Sequence, residues 1–261
     1  MKKYFAIFKT NLLNSLAYPA ELVTRGGMIL IFMWVFYQLW RVTFSASGSS
    51  SMNGLTLRDT IWYLLLAETL ELGRPRLSRT ISDQVKDGSI AYILNKPYHF
   101  LLYQLSNGLG ESIIRMAMLF IIGGALVWGM AGPPPGLQNW PLAFLALAGA
   151  WLLHFCAGAL IGLAAFVAEE VAPFEWIYQK FVFILGGMLI PIDFYPGWLQ
   201  TVTKALPFPY MMYGPARLFV EPNPQIFIQI MTGQFVWLAV LGGLLIFVFS
   251  RGMRQLAING G

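Results

Sequence analysis

GGMLIPIDFYPGWLQTVTKALPFPY, residues 186 to 210, is the stretch on which the fold turns. An apolar run from 174 to 190 precedes Pro191, and the residues beyond that proline form neither a plain loop nor another long apolar segment. Pro196 suits the first position of a helix, where its missing N–H leaves no hydrogen bond unmade. Trp198, Leu199, Val202, Ala205 and Leu206 then recur at helical spacing on one face, and Pro207 and Pro209 end the helix. About ten residues at about 1.5 Å each reach roughly 15 Å, half of a hydrocarbon core. Such a piece dips into a membrane without crossing it.

Composition agrees with a membrane setting. Of 261 residues, 57% are hydrophobic and 11% charged, with mean hydropathy +0.62, whereas soluble domains carry about 25% charged residues. The chain therefore reads as one polytopic α-helical membrane domain, residues 1–261. The net charge of +5 is placed at span ends, which suits topology and lipid headgroups and argues against nucleic acid. Cys156 is the single cysteine, which excludes a disulfide framework and a cysteine-based metal site.

Outward from the hairpin, residues 2–18 read as an amphipathic helix lying in the interface, with Phe5, Phe8, Leu12 and Leu16 on one face. Spans are expected at about 26–44, 58–73, 113–130, 140–168, 174–190 and 226–250, with 191–220 as the outer hairpin. All but Arg41, Arg58, Lys204 and Arg217 of the 17 basic residues then fall on one side, which by the positive-inside rule is cytoplasmic together with both termini. The second span carries Glu68 and Glu71, three apart and on one face. A carboxylate at mid-membrane costs about 2.5–3.5 kcal/mol on insertion scales, so two readings stand: ion pairs with Arg74 or Arg115, or residues of a transport path. Gly158 and Gly162 form a small-residue face that signals packing, and His154 on the same span reads as hydrogen-bonded filler.

The longest polar segment, 74–111, is cytoplasmic. Gly88 is placed to stop a helix and Ser89 to cap a new one, from Ile90 to Asn95, ahead of Pro97. A two-turn helix presenting Ile90, Ile93 and Leu94 at a membrane edge calls for something to cover it.

This layout resembles the ABC-2 type permeases, the membrane subunits of ATP-driven exporters. The resemblance is carried by Pro191, the Pro196–Gly197–Trp198–Leu199 run, the Leu206–Pro207 breaker and the Asp87–Gly88–Ser89 … Lys96–Pro97 pattern, and the layout extends it over essentially the whole chain. It implies an all-α, type V exporter-like fold with six transmembrane helices, an N-terminal interfacial helix, a cytoplasmic coupling helix and a re-entrant outer hairpin. It also implies docking on an ATPase subunit through Lys86, Asp87, Gly88, Ser89, Ile90, Tyr92, Ile93 and Leu94. An outer gate is expected at Pro191, Pro196, Trp198, Leu199, Pro207 and Pro209. The implied partners are separate ABC ATPase subunits, a second permease subunit (identical or homologous) and membrane lipids, in a bacterial inner membrane.

No catalytic signature competes with that reading. No GxxxxGK[ST] loop is present, so ATP and Mg are expected on the partner ATPase subunits, with no cofactor on this chain. Glu169–Glu170 resemble the opening of the EExxxR motif of intramembrane CAAX-processing proteases, but Phe174 stands where arginine is required. His99 and His154 are too few for a histidine metal site, and no GxSxG elbow occurs. The alternative from another class is a secondary transporter or channel without an ATPase partner, using Glu68 and Glu71.

Overall fold

Proline, glycine and one capping box set the helix boundaries in the computed structural model, which describes residues 2–17, 19–136, 138 and 140–259. Tyr18, the last residue of the expected interfacial stretch, lies outside the described residues. The order is α1 (Lys2–Ala17), α2 (Pro19–Ser47), β1 (Ser51–Met52), β2 (Leu55–Thr56), α3 (Leu57–Gly73), α4 (Leu77–Lys86), α5 (Ser89–Leu94) and α6 (Phe100–Ala131). Then come α7 (Trp140–Leu163), α8 (Ala172–Leu185), α9 (Gly197–Lys204), α10 (Phe208–Met211), α11 (Tyr213–Val220) and α12 (Pro224–Asn259).

The two strands form one short hairpin around Asn53 and Gly54, whose φ angles of 49° and 81° suit the Asn-Gly turn. Thr56 then opens α3. Its hydroxyl accepts from the Asp59 N–H at 3.2 Å, and Asp59 Oδ2 accepts from the Thr56 N–H at 3.2 Å. This reciprocal cap satisfies two otherwise orphaned donors.

Helix α6 gathers α1, α2 and α3, while α7 gathers α4, α11 and α12; contact between α3 and α11 joins the two groups. Close approaches are made at glycines. On α6, a side chain at Gly110 would place its Cβ 2.7 Å from the Phe8 carbonyl oxygen, so α1 lies directly on that position. Every residue of α3 from Thr60 to Leu70 is buried, whereas α12 turns Ile228, Phe235, Ile246 and Phe247 outward. Apolar residues inside and outside alike leave lipid as the solvent of the outer helices.

Among the described residues, four helices are long and apolar enough to cross a membrane: Val23–Ser47, Phe100–Ala131, Trp140–Phe166 and Pro224–Gly252. The 17 residues of α3 reach about 25 Å and the 14 of α8 about 21 Å, both short of a core of about 30 Å.

Several boundaries differ from expectation. Helix α6 begins at Phe100, well before residue 113, because the mixed polar and apolar residues 100–112 stay helical beneath α1. Helix α8 ends at Leu185 instead of 190, because the chain turns at Gly186 and at Gly187, whose φ is +72°. A side chain at Gly187 would be strained and would stand 2.7 Å from Ile192 Cγ1. Helix α9 starts at Gly197, with Pro196 just outside, and ends at Lys204; Pro209 sits inside α10. Its apolar face points away from the body, since Trp198 is 69% and Val202 49% exposed while Thr203 is buried.

Candidate functional site

Three places collect the side chains that sequence reading singled out. The first is the α4–α5 unit. Helix α4 buries Leu77, Ser78, Ile81 and Ser82 against α7 at the Gly158–Gly162 face. A Cβ on Gly162 would stand 2.7 Å from Ile81 Cβ and 3.0 Å from the Ser78 carbonyl oxygen. Absent side chains are what let α4 seat there.

The chain leaves α4 through Gly88, whose φ is +75°. Ser89 is the first residue of α5 and not its cap; Asp87 Oδ1 accepts from the Ser89 N–H at 2.8 Å. Hydrogen bonds from Ser89, side chain first and backbone second, hold the Asp87 carboxyl below the usual carboxylate range. A lowered native value means that the cap stabilises α5 above the ordinary carboxylate range and is lost as pH falls through the lowered value. Asp87→Ala is expected to speed hydrogen exchange across residues 88–94 at neutral pH, leaving α6 and α7 protected. Unchanged exchange would remove the capping role.

The structure divides the expected docking residues. Ile90 is 1% exposed and belongs to the chain's own core, with Ile93 and Leu94 packed partly against it. Tyr92 is 67% exposed, with Lys96 Nζ 4.3 Å from its ring centre. Ala91 and Asn95, and Lys86, Asp87 and Gly88 ahead of them, are also open. Lys86 Nζ meets Glu170 Oε1 at 2.8 Å, tying α4 to the segment after α7. From the other side, Lys3 donates to the Pro97 carbonyl and the His99 N–H donates to the Tyr4 hydroxyl at 2.9 Å. The open face of α5 is thus polar-aromatic, and its apolar side is used up within the chain.

The second place is a cavity of about 220 Å³ between α2, α3 and α8, lined by Arg25, Glu68, Glu71, Leu72, Arg74, Arg76, Glu175, Gln179 and Phe183. Arg74 and Glu71 form a fork, Nε to Oε2 at 2.9 Å and Nη2 to Oε1 at 2.5 Å. The Arg74 guanidinium also lies 5.6 Å from the centre of the Tyr178 ring, and Tyr178 shares a 2.6 Å hydrogen bond with His154 Nδ1. Arg25 Nη1 donates to the Leu72 carbonyl at 2.5 Å. Arg115 meets Glu111 on its own helix at 3.4 Å. Of the two expected acids, Glu71 has its arginine; Glu68, 6% exposed, keeps Oε2 without a hydrogen-bond partner among the described residues.

The third place is the hairpin of residues 191–220. Pro191 and Pro209 are buried, Leu199 and Pro207 half-buried, and Pro196 and Trp198 exposed. What pins the hairpin was not visible in the sequence. Arg217 on α11 is 6% exposed and meets Asp193 at 3.4 Å and Glu221 at 2.7 Å. Tyr213 OH donates to Asp193 Oδ1 at 3.1 Å, and Asn53 Nδ2 donates to the Asp193 carbonyl at 2.9 Å. Tyr63 OH, from α3, donates to the Gly187 carbonyl at 2.6 Å. The one available signal was an arginine between apolar residues 218–220 and Pro215, a position that demands a partner.

Long apolar helices around a buried α3 define an all-α polytopic membrane protein. The family model described as ABC-2 family transporter protein matches residues 26–260, and the chain belongs to that family. It is a permease of the ABC transporter class, a transport subunit and not itself a catalyst. A comparison with the curated proteins returned no match.

Proposed function

We propose that this chain is the membrane subunit of an ATP-driven exporter, working with a second permease subunit and with separate ATPase subunits that hold ATP and Mg. Helices α3 and α8, short as they are, complete six spans with the four long helices, and both termini face the cytoplasm of a bacterial inner membrane. The region 191–220 then acts as the outer lid, re-entrant at α9. One observation carries the proposal: α5 projects an exposed tyrosine from a unit seated directly on the central helix α7. A push on α5 passes through α4 to α7, and through α11 and α3 to the hairpin, by contacts of packed side chains.

The docking test is Tyr92→Ala. An exposed aromatic anchor at an interface contributes about 2 kcal/mol, so association with the ATPase subunit is expected to weaken by about thirtyfold. Membrane insertion and thermal stability should stay unchanged, since the ring is outside the chain's own core. Equal association of variant and wild type would remove α5 as the dock. Co-purification of the untagged ATPase subunit with this chain tests the wider reading, and a stable permease that never brings one down would favour a secondary transporter.

A further inference from the structure

The charges lining the cavity between α2, α3 and α8 do not cancel where they are most buried. Arg74 is committed to Glu71 by two hydrogen bonds, and Arg25 is turned to the carbonyl at the end of α3. Glu68 lies one helical turn deeper, and the charged group it feels most is another carboxylate, Glu71. Its Oε2 has no hydrogen-bond partner among the described residues, although the residue is only 6% exposed. A buried polar group without a partner is the exception in folded proteins and asks for an explanation. Mere solvation by the mouth is a poor one, because Glu68 stands in the stretch of α3 whose residues are all buried.

The remaining lining explains the choice of ligand. Phe183 contributes an aromatic surface and Gln179 a carbonyl oxygen, while Glu175, near the α8 start, and the exposed Arg76 add one charge of each sign, which leaves the buried Glu68 as the acid without a counter-charge among the described residues. A carboxylate and an aromatic surface lining one cavity are the pattern that takes an ammonium ion, by charge on one side and cation–π attraction on the other, and the Phe183 ring already has the ammonium of Lys180 5.5 Å from its centre. We propose that this cavity binds an organic ammonium group, with Glu68 as its counter-ion and Phe183 as its aromatic wall. Two sources supply that group: the headgroup of an aminolipid, or a soluble amine. A volume of about 220 Å³ holds the amine end of either. Binding itself does not need the transport reading, but the assignment of the site to cargo recognition rests on it.

The test uses the full chain in nanodiscs of phosphatidylglycerol, which carries no amine, titrated calorimetrically with phenethylammonium and with the neutral 2-phenylethanol, each read against empty nanodiscs of the same lipid because an anionic bilayer itself draws cations. Saturable binding of the amine is expected, with the alcohol at least about tenfold weaker, the loss of one charge-assisted contact. This comparison needs no variant. Glu68→Gln, which keeps shape and removes charge, should bring the amine down to the level of the alcohol, and Glu68→Asp should retain part of the preference. Equal binding of amine and alcohol to the wild type, or full amine affinity in a folded Glu68→Gln, overturns the proposal. Replacing the lipid by phosphatidylethanolamine distinguishes the sources: suppressed amine binding assigns the site to the lipid headgroup, and undiminished binding assigns it to a soluble amine. No ATPase subunit is present, so failure here leaves the coupling proposal standing, and failure of coupling leaves this binding result intact.

Discussion

Gly162→Leu is expected to lift α4 off α7 and to destabilise the protein by about 1–3 kcal/mol, the range for overpacking a tight contact. The position allows no compromise. Even the first added carbon stands 2.7 Å from Ile81 Cβ and 3.0 Å from the Ser78 carbonyl oxygen, so backbone as well as side chain must give. Gly158→Ala, one turn earlier, is the control. Its added carbon meets Leu77 Cβ at 3.6 Å and the Ser78 nitrogen at 3.9 Å, ordinary contact, and alanine gains roughly 0.5–1 kcal/mol over glycine inside a helix. Thermal unfolding in detergent should therefore show the leucine variant well below wild type and the alanine variant at or slightly above it. If α4 is the lever between ATPase and helices, the leucine variant also uncouples ATP hydrolysis from transport while α5 still docks. Equal stability of the two variants would mean that α4 rests only loosely on α7, and the mechanical route through it would have to be abandoned.

The physical reason why some of this was legible in the sequence and some was not lies in the solvent. Proline and glycine punctuation works in lipid as in water, so the breaks at Pro97 and Gly88 read correctly from residue types alone, while the one expected at Pro191 comes earlier, at Gly186 and Gly187. Apolar periodicity loses its meaning where the outer surface is also apolar. The stripe Trp198–Leu199–Val202 read as one apolar helical face, but periodicity does not say whether such a face packs or looks outward; Trp198 and Val202 look outward, and Ile90, read as a docking residue, is inside. Helix α4 is the opposite case: strongly amphipathic, with Leu77 and Ile81 facing α7. The small-residue face Gly158–Gly162 announced packing, but only the structure shows that its guest is α4. Long-range charge pairs were the least accessible. Glu71 could be matched with Arg74 because they are three residues apart, whereas Asp193 and Arg217 meet across a turn and two short helices.

That second pair supports the largest single-residue prediction. Arg217 is nearly inaccessible, and its guanidinium answers two carboxylates, Asp193 at 3.4 Å and Glu221 at 2.7 Å. Glu221 is half in solvent, with 48% of its side chain exposed, and loses little without its partner; Asp193, at 19%, cannot rehydrate as freely. Removing one member of a buried pair costs about 3–5 kcal/mol because the other charge is stranded. Arg217→Met, which keeps bulk against α3 and α7, is accordingly expected to lose about 3 kcal/mol, the lower end, given the partial exposure of Asp193. Asp193→Asn alone should cost less, since Arg217 retains Glu221 and the amide still accepts from Tyr213. The double variant is the decisive sample. With the stranded charge gone, Arg217→Met/Asp193→Asn should recover a large part of the loss, giving a coupling energy well above the roughly 0.5 kcal/mol scatter of independent sites. Unfolding of the four proteins side by side measures that term. Strict additivity would show that the pair is incidental and that Asn53 and Tyr63 hold the hairpin by their bonds to the Asp193 and Gly187 carbonyls. Strong coupling would make Arg217 the clasp of the proposed outer lid: an opening would then either carry α11 along or break this pair, and the stabler the clasp, the slower the lid.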